Sequence, residues 1–280
     1  MEYADLHIHT NASDGILTPE EVVEWAYKKK LRAISITDHD TVSGIERAIK
    51  ANEIKNSLEI IPGIELNTDY NGEEIHILGY YIEYKNAWFL NILKNMQQSR
   101  YERALKMIHI LNSLNIMISM DQVQKFSKGS SIGRPHIARA MIESGYIDNI
   151  KNGFDKYLGK GRPAYVERYK LDSKQAIEII NKIGGIAVLA HPGLIKNKKI
   201  ISSIINLGIQ GIEVYHTKHD QDTIRYLKYI SNERKLLITG GTDCHGITIN
   251  NQPILGNVTI DYNNFIKLKN AASGSKSKHN

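Results

Sequence analysis

Six histidines and three carboxylates stand in this sequence at spacings that suit metal ligation. His7 and His9 are two apart, so on a strand they share one face. A strand buried on both sides should be apolar there, and two inward imidazoles need partners, for which a metal ion is the economical answer. Asp14 follows closely. Further on come His39 in Thr37-Asp38-His39-Asp40, Glu65 in Gly63-Ile64-Glu65, and His76 after Ile75. His191 lies in Ala190-His191-Pro192, and Asp243 and His245 lie in Thr242-Asp243-Cys244-His245. The one cysteine, Cys244, falls between two candidate ligands; alternation aims it away from them, into packing.

The elements that must position these residues alternate. Tyr3–His9 reads as a strand, and Thr18-Pro19-Glu20-Glu21 opens a helix with a cap, a proline and acids in its first turn. Arg32–Thr37 is a strand, Val42–Ile54 a helix, and Leu58–Leu66 and Glu74–Ile82 two more strands. A helical stretch near Trp88–Leu114 leads into several short helices over Ser119–Tyr157. The alternation then resumes with a helix from Ser173 through Lys182, a strand Gly185–Ala190, a helix Lys199–Leu207 and a strand Gly211–Val214. A helix Asp220–Ser231, a strand Leu236–Gly240 and a last strand over Ile254–Val258 complete it. Repeated strand–helix units point to an α/β fold on a largely parallel sheet, and such sheets place their chemistry at the C-terminal strand ends. Nearly every strand read here ends in or near a His, Asp or Glu, which reads as one active site. The domain reading is a discontinuous barrel over 1–92 and 168–272, an inserted helical lid or substrate wall over 93–167, and a polar flexible tail over 273–280.

Composition agrees. The chain has 280 residues, 41% hydrophobic and 24% charged, which excludes a disordered chain or a disulfide scaffold. One cysteine, an acidic start unlike a signal peptide and no long apolar run lead to the expectation of a cytoplasmic protein without membrane contact. A net charge of +6 favours anionic partners but is too small to argue for duplex DNA.

The segments Asp5-Leu6-His7-Ile8-His9-Thr10, Ser13-Asp14-Gly15, Thr37-Asp38-His39-Asp40, Pro62-Gly63-Ile64-Glu65, Ile75-His76, Ala190-His191-Pro192 and Gly241-Thr242-Asp243-Cys244-His245 resemble the polymerase-and-histidinol-phosphatase (PHP) superfamily. That resemblance implies a distorted (β/α)7 barrel with up to three divalent ions at its C-terminal face. Carried over by position, His7, His9, Glu65 and Asp243 would hold the first ion. Glu65, His76 and His191 would hold the second, with Glu65 bridging, and Asp14, His39 and His245 the third. Gly133-Arg134-Pro135-His136-Ile137-Ala138-Arg139, with Gly211-Ile212-Glu213-Val214-Tyr215-His216, is similar to the branch of 3′,5′-nucleoside bisphosphate phosphatases and enzymes trimming short RNA from its 5′ end. Two rivals are a histidinol-phosphate phosphatase, against which the helical insertion speaks, and a non-catalytic PHP module, whose mark would be degenerate ligands.

Phosphate-ester hydrolysis needs cations on the non-bridging oxygens and a nucleophile at neutral pH, which two metals about 3.5–4 Å apart supply. Histidine and carboxylate ligands without cysteine suit Mn²⁺, Fe²⁺ or Zn²⁺. Three dications against three carboxylates leave about +3, matched to a phosphate dianion. Glu65, Asp243 and His216 are the expected catalytic residues, His216 as phosphate contact or proton donor. Arg134 and His136 form a donor pair for substrate phosphate, with His216 and His219 as further contacts. Asp38 or Asp40 is expected to orient the His39 imidazole, and His109 reads as a helix-surface residue. A walled site admits a small phosphorylated nucleotide or a short single-stranded oligonucleotide, and not duplex DNA.

Overall fold

The computed structural model describes residues 3–276, apart from 54, 128–130, 168, 170, 247 and 251. In chain order its elements are β1 (Tyr3–Ile8), α1 (Pro19–Lys28), β2 (Ala33–Ile36), α2 (Ile45–Asn52), β3 (Glu59–Tyr70), β4 (Glu73–Tyr80), α3 (Ala87–Ser113), α4 (Met120–Phe126), α5 (Arg134–Glu143) and α6 (Ile150–Gly153). Then come β5 (Leu171–Asp172), α7 (Ser173–Lys182), β6 (Ile186–Leu189), α8 (Lys199–Asn206), β7 (Gly211–His216), α9 (Gln221–Glu233), β8 (Leu237–Gly241), β9 (Thr248–Ile249), β10 (Gln252–Pro253), β11 (Ile260–Asp261) and α10 (Tyr262–Lys276). Helix α1 starts as its sequence dictates: Thr18 and Glu21 cap one another's backbone and Pro19 follows.

The main sheet runs β11-β1-β2-β3-β4-β6-β7-β8. Strands β1, β2, β3, β6, β7 and β8 are parallel to their neighbours in this series, and β4 is antiparallel to both β3 and β6. That inversion comes from a tight hairpin at Asn71-Gly72, both left-handed at φ 53 and 85, as a two-residue turn demands. The sheet curls until β8 nearly meets β1: the His9 N–H donates to the Cys244 carbonyl at 3.0 Å, next to a bridge between Ile8 and Cys244. At Gly241 a Cβ would fall 2.3 Å from the His7 nitrogen, so only glycine lets the ends approach. The barrel expected from the sequence is borne out, with β4 as its distortion. One apolar core (Ile34, Ile64, Ile77, Leu189, Ile212 and others) lies between strands and helices, and Cys244 packs in it.

A separate apolar core joins the second half of α3 with α4, α5 and the turns that follow, from Ala104 to Ala164. Leu93 and Met96, on the same 27-residue helix, belong to the barrel core. The boundary expected at 93 therefore falls inside a helix shared by both cores, and the one expected at 168 lies outside the described residues. Two further readings need correction. Ile254–Val258 is turn, because Gly256 at φ 77 breaks the strand, and it is Ile260–Asp261 that pairs with β1. The tail expected from 273 begins as helix, since α10 runs to Lys276; residues 277–280, like Ile54 at the expected end of the second helix, lie outside the described residues. His109 is exposed on α3, as expected. No described helix is long and apolar enough to cross a membrane.

Candidate metal centre

The strand ends assemble the site. His7 lies on β1 and His9 just past it, His39 past β2, Glu65 on β3, His191 past β6, and Asp243 and His245 past β8. His76 is on the first half of β4, which the inversion of that strand brings to the same end. Glu65 is the hub, fully buried. Its Oε1 lies 2.8 Å from His76 Nδ1 and 3.0 Å from His191 Nε2. Its Oε2 lies 3.2 Å from His7 Nε2, 3.1 Å from His9 Nε2 and 3.1 Å from His39 Nδ1. Asp243 Oδ1 closes the His7–His9 side at 3.4 and 3.1 Å. Asp14 lies 3.2 Å from His245 Nε2 and 4.0 Å from His39 Nε2.

Among the described residues three groups have ligand atoms within 4.8 Å of one another: His7, His9, Glu65 and Asp243; His9, Asp14, His39 and His245; and His39, Glu65 and His76. The first matches the expected set. In the second, His9 joins the expected trio. In the third, His39 stands where His191 was expected, and His191 meets Glu65 Oε1, the oxygen that His76 also meets.

The residues fit divalent ions. Despite these close approaches, His7 Nε2, both ring nitrogens of His9, Asp14 Oδ1 and Glu65 Oε2 are buried without a well-aligned hydrogen bond, which is costly unless cations take the lone pair that each imidazole and carboxylate has to offer. Burial opposes ionisation throughout, yet the surrounding histidines hold the carboxyls of Asp14, Glu65 and Asp243 well below the usual range. In return, against burial, Glu65 and Glu74 raise His76 to about 9 and Asp14 and Asp243 raise His245 to about 10. The cluster asks for positive charge. His39, by burial and despite Glu65 and Asp14, falls to about 3 and keeps its lone pair. The backbone is held in unusual shapes here: Asp40, His191 and Asp243 have φ of 52, 28 and 52.

The residues around the cluster depart from expectation. Asp38 binds Thr10 N–H at 2.7 Å and the hydroxyls of Thr10 and Ser13, stitching the loop that presents Asp14. Asp40 accepts from Asn67 N–H at 3.0 Å, and it is the Asn67 amide, 3.1 Å from His39 Nδ1, that meets the imidazole. So neither aspartate orients His39 directly; Asp40 acts through Asn67. His216 was expected to face substrate. Its Nδ1 accepts from Lys218 N–H at 3.2 Å, which leaves Nε2–H for Asp243 Oδ2 at 3.3 Å, so it orients Asp243. His219 has neither ring nitrogen free for a phosphate: Nδ1 donates to the Val214 carbonyl at 2.9 Å and Nε2 accepts from Gly193 N–H at 3.0 Å.

Glu213 escaped the sequence reading. Buried on β7, it places Oε1 2.9 Å from His7 Nδ1 and accepts the His191 N–H on Oε2 at 2.7 Å. Its signal was a lone carboxylate in an otherwise apolar central strand.

Beside the cluster opens a cleft of about 500 Å³ lined by His76, His191, Arg134, Lys160 and Lys196 among others. Arg134 stands over the rings of Phe154 and Tyr165, with Nη2 3.9 Å from Glu74. His136 is turned inward, not to solvent; burial lowers it to about 4, and Nδ1 accepts from Gly133 N–H at 2.9 Å, leaving the proton on Nε2.

Comparison with known proteins agrees with this geometry. The chain is 32% identical over 249 residues to the 5′-3′ exoribonuclease Rnm of Escherichia coli (strain K12), covering 86% of this chain and 84% of that one. It is 30% identical over 251 residues to the 3′,5′-nucleoside bisphosphate phosphatase of Chromobacterium violaceum, covering 88% of each. A solved structure described as a metal-dependent phosphoesterase of Bifidobacterium adolescentis superposes with a TM-score of 0.87 over 96% of both chains, at 28% identity. The PHP domain profile matches residues 5–237, so this chain belongs to the PHP domain family and is a metal-dependent hydrolase of phosphate esters.

Proposed function

We propose that the protein removes a terminal phosphate from 3′,5′-nucleoside bisphosphates and trims short 5′-phosphorylated RNA from its end, using up to three divalent ions of the Mn²⁺, Fe²⁺ or Zn²⁺ type. The observation that carries this reading is the pairing of the histidine–carboxylate cluster with a cleft that carries three cations beside Glu73 and Glu74. His76 and His191 line both, and Arg134, Lys160 and Lys196 stand on the cleft's other walls. A substrate with two phosphates, or a phosphate and a short chain, would offer one group to the cluster and the other to these cations. Both relatives named above act on such molecules by their names, which favours this reading over histidinol phosphate. The intact ligand set speaks against a non-catalytic module.

In this reading the two oxygens of Glu65 serve two ion sites, Oε2 with His7, His9 and Asp243 and Oε1 with His76 and His191. Asp14, His39 and His245 serve the third. Bound divalent ions supply Lewis acidity toward phosphate oxygens and ease the deprotonation of water. Glu213 holds the His7 ring so that Nε2 faces the site, and His216 does the same for Asp243. Glu213 is ionised, held low by His7 against its burial, so it trims the site charge from about +3 to about +2. Arg134 grips phosphate from the cleft, to which the insertion contributes Arg134 and Lys160, whereas His136, fully buried and outside the cleft's lining, steadies that segment through its bond to Gly133 N–H. The test is product analysis on end-labelled RNA of graded length beside circular and double-stranded nucleic acid. Stepwise loss from the 5′ end of short single strands is expected; cuts in the circle, or equal rates on duplex, would refute the walled site.

A further inference from the structure

Two arginines of the inserted helices reach the barrel loops that carry ligands. Arg100 on α3 donates from Nε to Asp40 Oδ2 at 2.8 Å, and its Nη2 contacts the same oxygen. The pair is almost enclosed, with 12% and 3% of the two side chains exposed. Its Nη1 donates to the Ile132 carbonyl at 3.4 Å, beside the segment that presents Arg134 and His136. Gln97, on the same helix, donates to the Asp40 carbonyl at 3.1 Å. Asp40, next to His39, sits at φ 52, a conformation that persists only where its surroundings hold it. On α5, Arg139 donates from Nη2 to the Asp14 carbonyl at 3.0 Å. The loops bearing His39, which follows β2, and Asp14 are thus each tied in addition to a different inserted helix, whereas His7 and Glu65 lie within barrel strands and His9 and Asp243 directly beside them.

We propose that Arg100 and Arg139 are positioning residues for the third ion site, so that retention of that ion depends on the docked insertion while the first two sites depend on the barrel. The proposal rests on the three-ion reading above. Ligands from separate loops converge only if each loop is held to a fraction of an ångström. A planar guanidinium fixes both the distance and the orientation of the carboxylate it grips, which a lysine ammonium does not. Through Arg100 the same cation also touches the substrate-gripping segment, so ion and substrate sites share one support.

The test uses the full chain as wild type, Arg100→Met, Arg100→Lys and Arg139→Gln. Each is stripped with chelator and titrated with Mn²⁺ by calorimetry, with bound Mn²⁺ counted by elemental analysis and the melting temperature recorded alongside. Wild type is expected to take up three ions. Both Arg100→Met and Arg139→Gln should keep two at unchanged affinity and hold the third about 10- to 100-fold more weakly, with Arg100→Lys between. Lower melting temperatures with all three affinities unchanged would overturn the proposal and leave the arginines a purely structural role; equal weakening of every site would overturn it too. Arg139→Gln, at a half-buried residue bonded to a carbonyl, keeps the comparison decisive where Arg100→Met fails to fold. A wild type that takes up only two ions would overturn the three-ion reading itself, so the two failures are told apart.

Discussion

Replacing Glu213 with glutamine changes almost no volume and tests whether a carboxylate behind the ligands matters. Glu213 accepts on both oxygens, from His7 Nδ1 at 2.9 Å and from the His191 N–H at 2.7 Å. An amide can satisfy one of these and must oppose the other. With its oxygen toward His7, its NH₂ faces the His191 N–H, donor against donor. Turned round, its NH₂ needs an unprotonated Nδ1 and drives the His7 proton to Nε2, the nitrogen 3.2 Å from Glu65 and 3.4 Å from Asp243, where an ion needs a lone pair. A charge-assisted bond of this kind contributes about 1.5–3 kcal/mol. Support lost behind a ligand costs about 10- to 100-fold in metal affinity, the same range. Glu213→Gln should therefore need about 10- to 100-fold more Mn²⁺ for half-maximal phosphate release, with kcat at saturating Mn²⁺ much less affected. A Mn²⁺ dependence within twofold of wild type would refute the reasoning.

Glu65→Ala should abolish turnover and release more than one ion, whereas Asp14→Ala should leave partial activity; the reverse order in phosphate release and metal content would contradict the hub role of Glu65. Arg134→Ala should cost about 1.5–3 kcal/mol in kcat/KM for a nucleoside bisphosphate and much less for a small aryl phosphate, since only the longer substrate spans the cleft. Equal losses on both would instead implicate a disturbed metal site. Cys244 is fully buried, and burial pushes its thiol up to about 11, so a thiol reagent at neutral pH should label it only as the fold opens; labelling as fast as in denaturant would refute that placement.

The candidate ligands were legible in the sequence because most lie on or just past a strand end, and imidazoles at successive strand ends have few other uses. The barrel was legible because its strands are continuous apolar runs. The supporting residues were not. Glu213 reads as one polar position in a short strand, and its partner His7 lies 206 residues away in sequence. Asn67 faces His39 only because β3 runs past Glu65 to Tyr70, and Leu58–Leu66 looked like the whole strand. Arg100 sits on a long helix whose polar face resembles any solvated one, and only the docking of that helix against the His39 loop makes it buried. His216 and His219 misled for the converse reason: a histidine near a strand end looks available until its hydrogen bonds are counted.

The central claim is tested most directly by inorganic phosphate release from a 3′,5′-nucleoside bisphosphate by the chelator-stripped protein, with and without added Mn²⁺. The account predicts no release from stripped protein, and restoration on adding Mn²⁺ with one phosphate and one nucleoside monophosphate formed per turnover. Undiminished turnover in the stripped protein, or no phosphate with Mn²⁺, Fe²⁺ or Zn²⁺ restored, would contradict it.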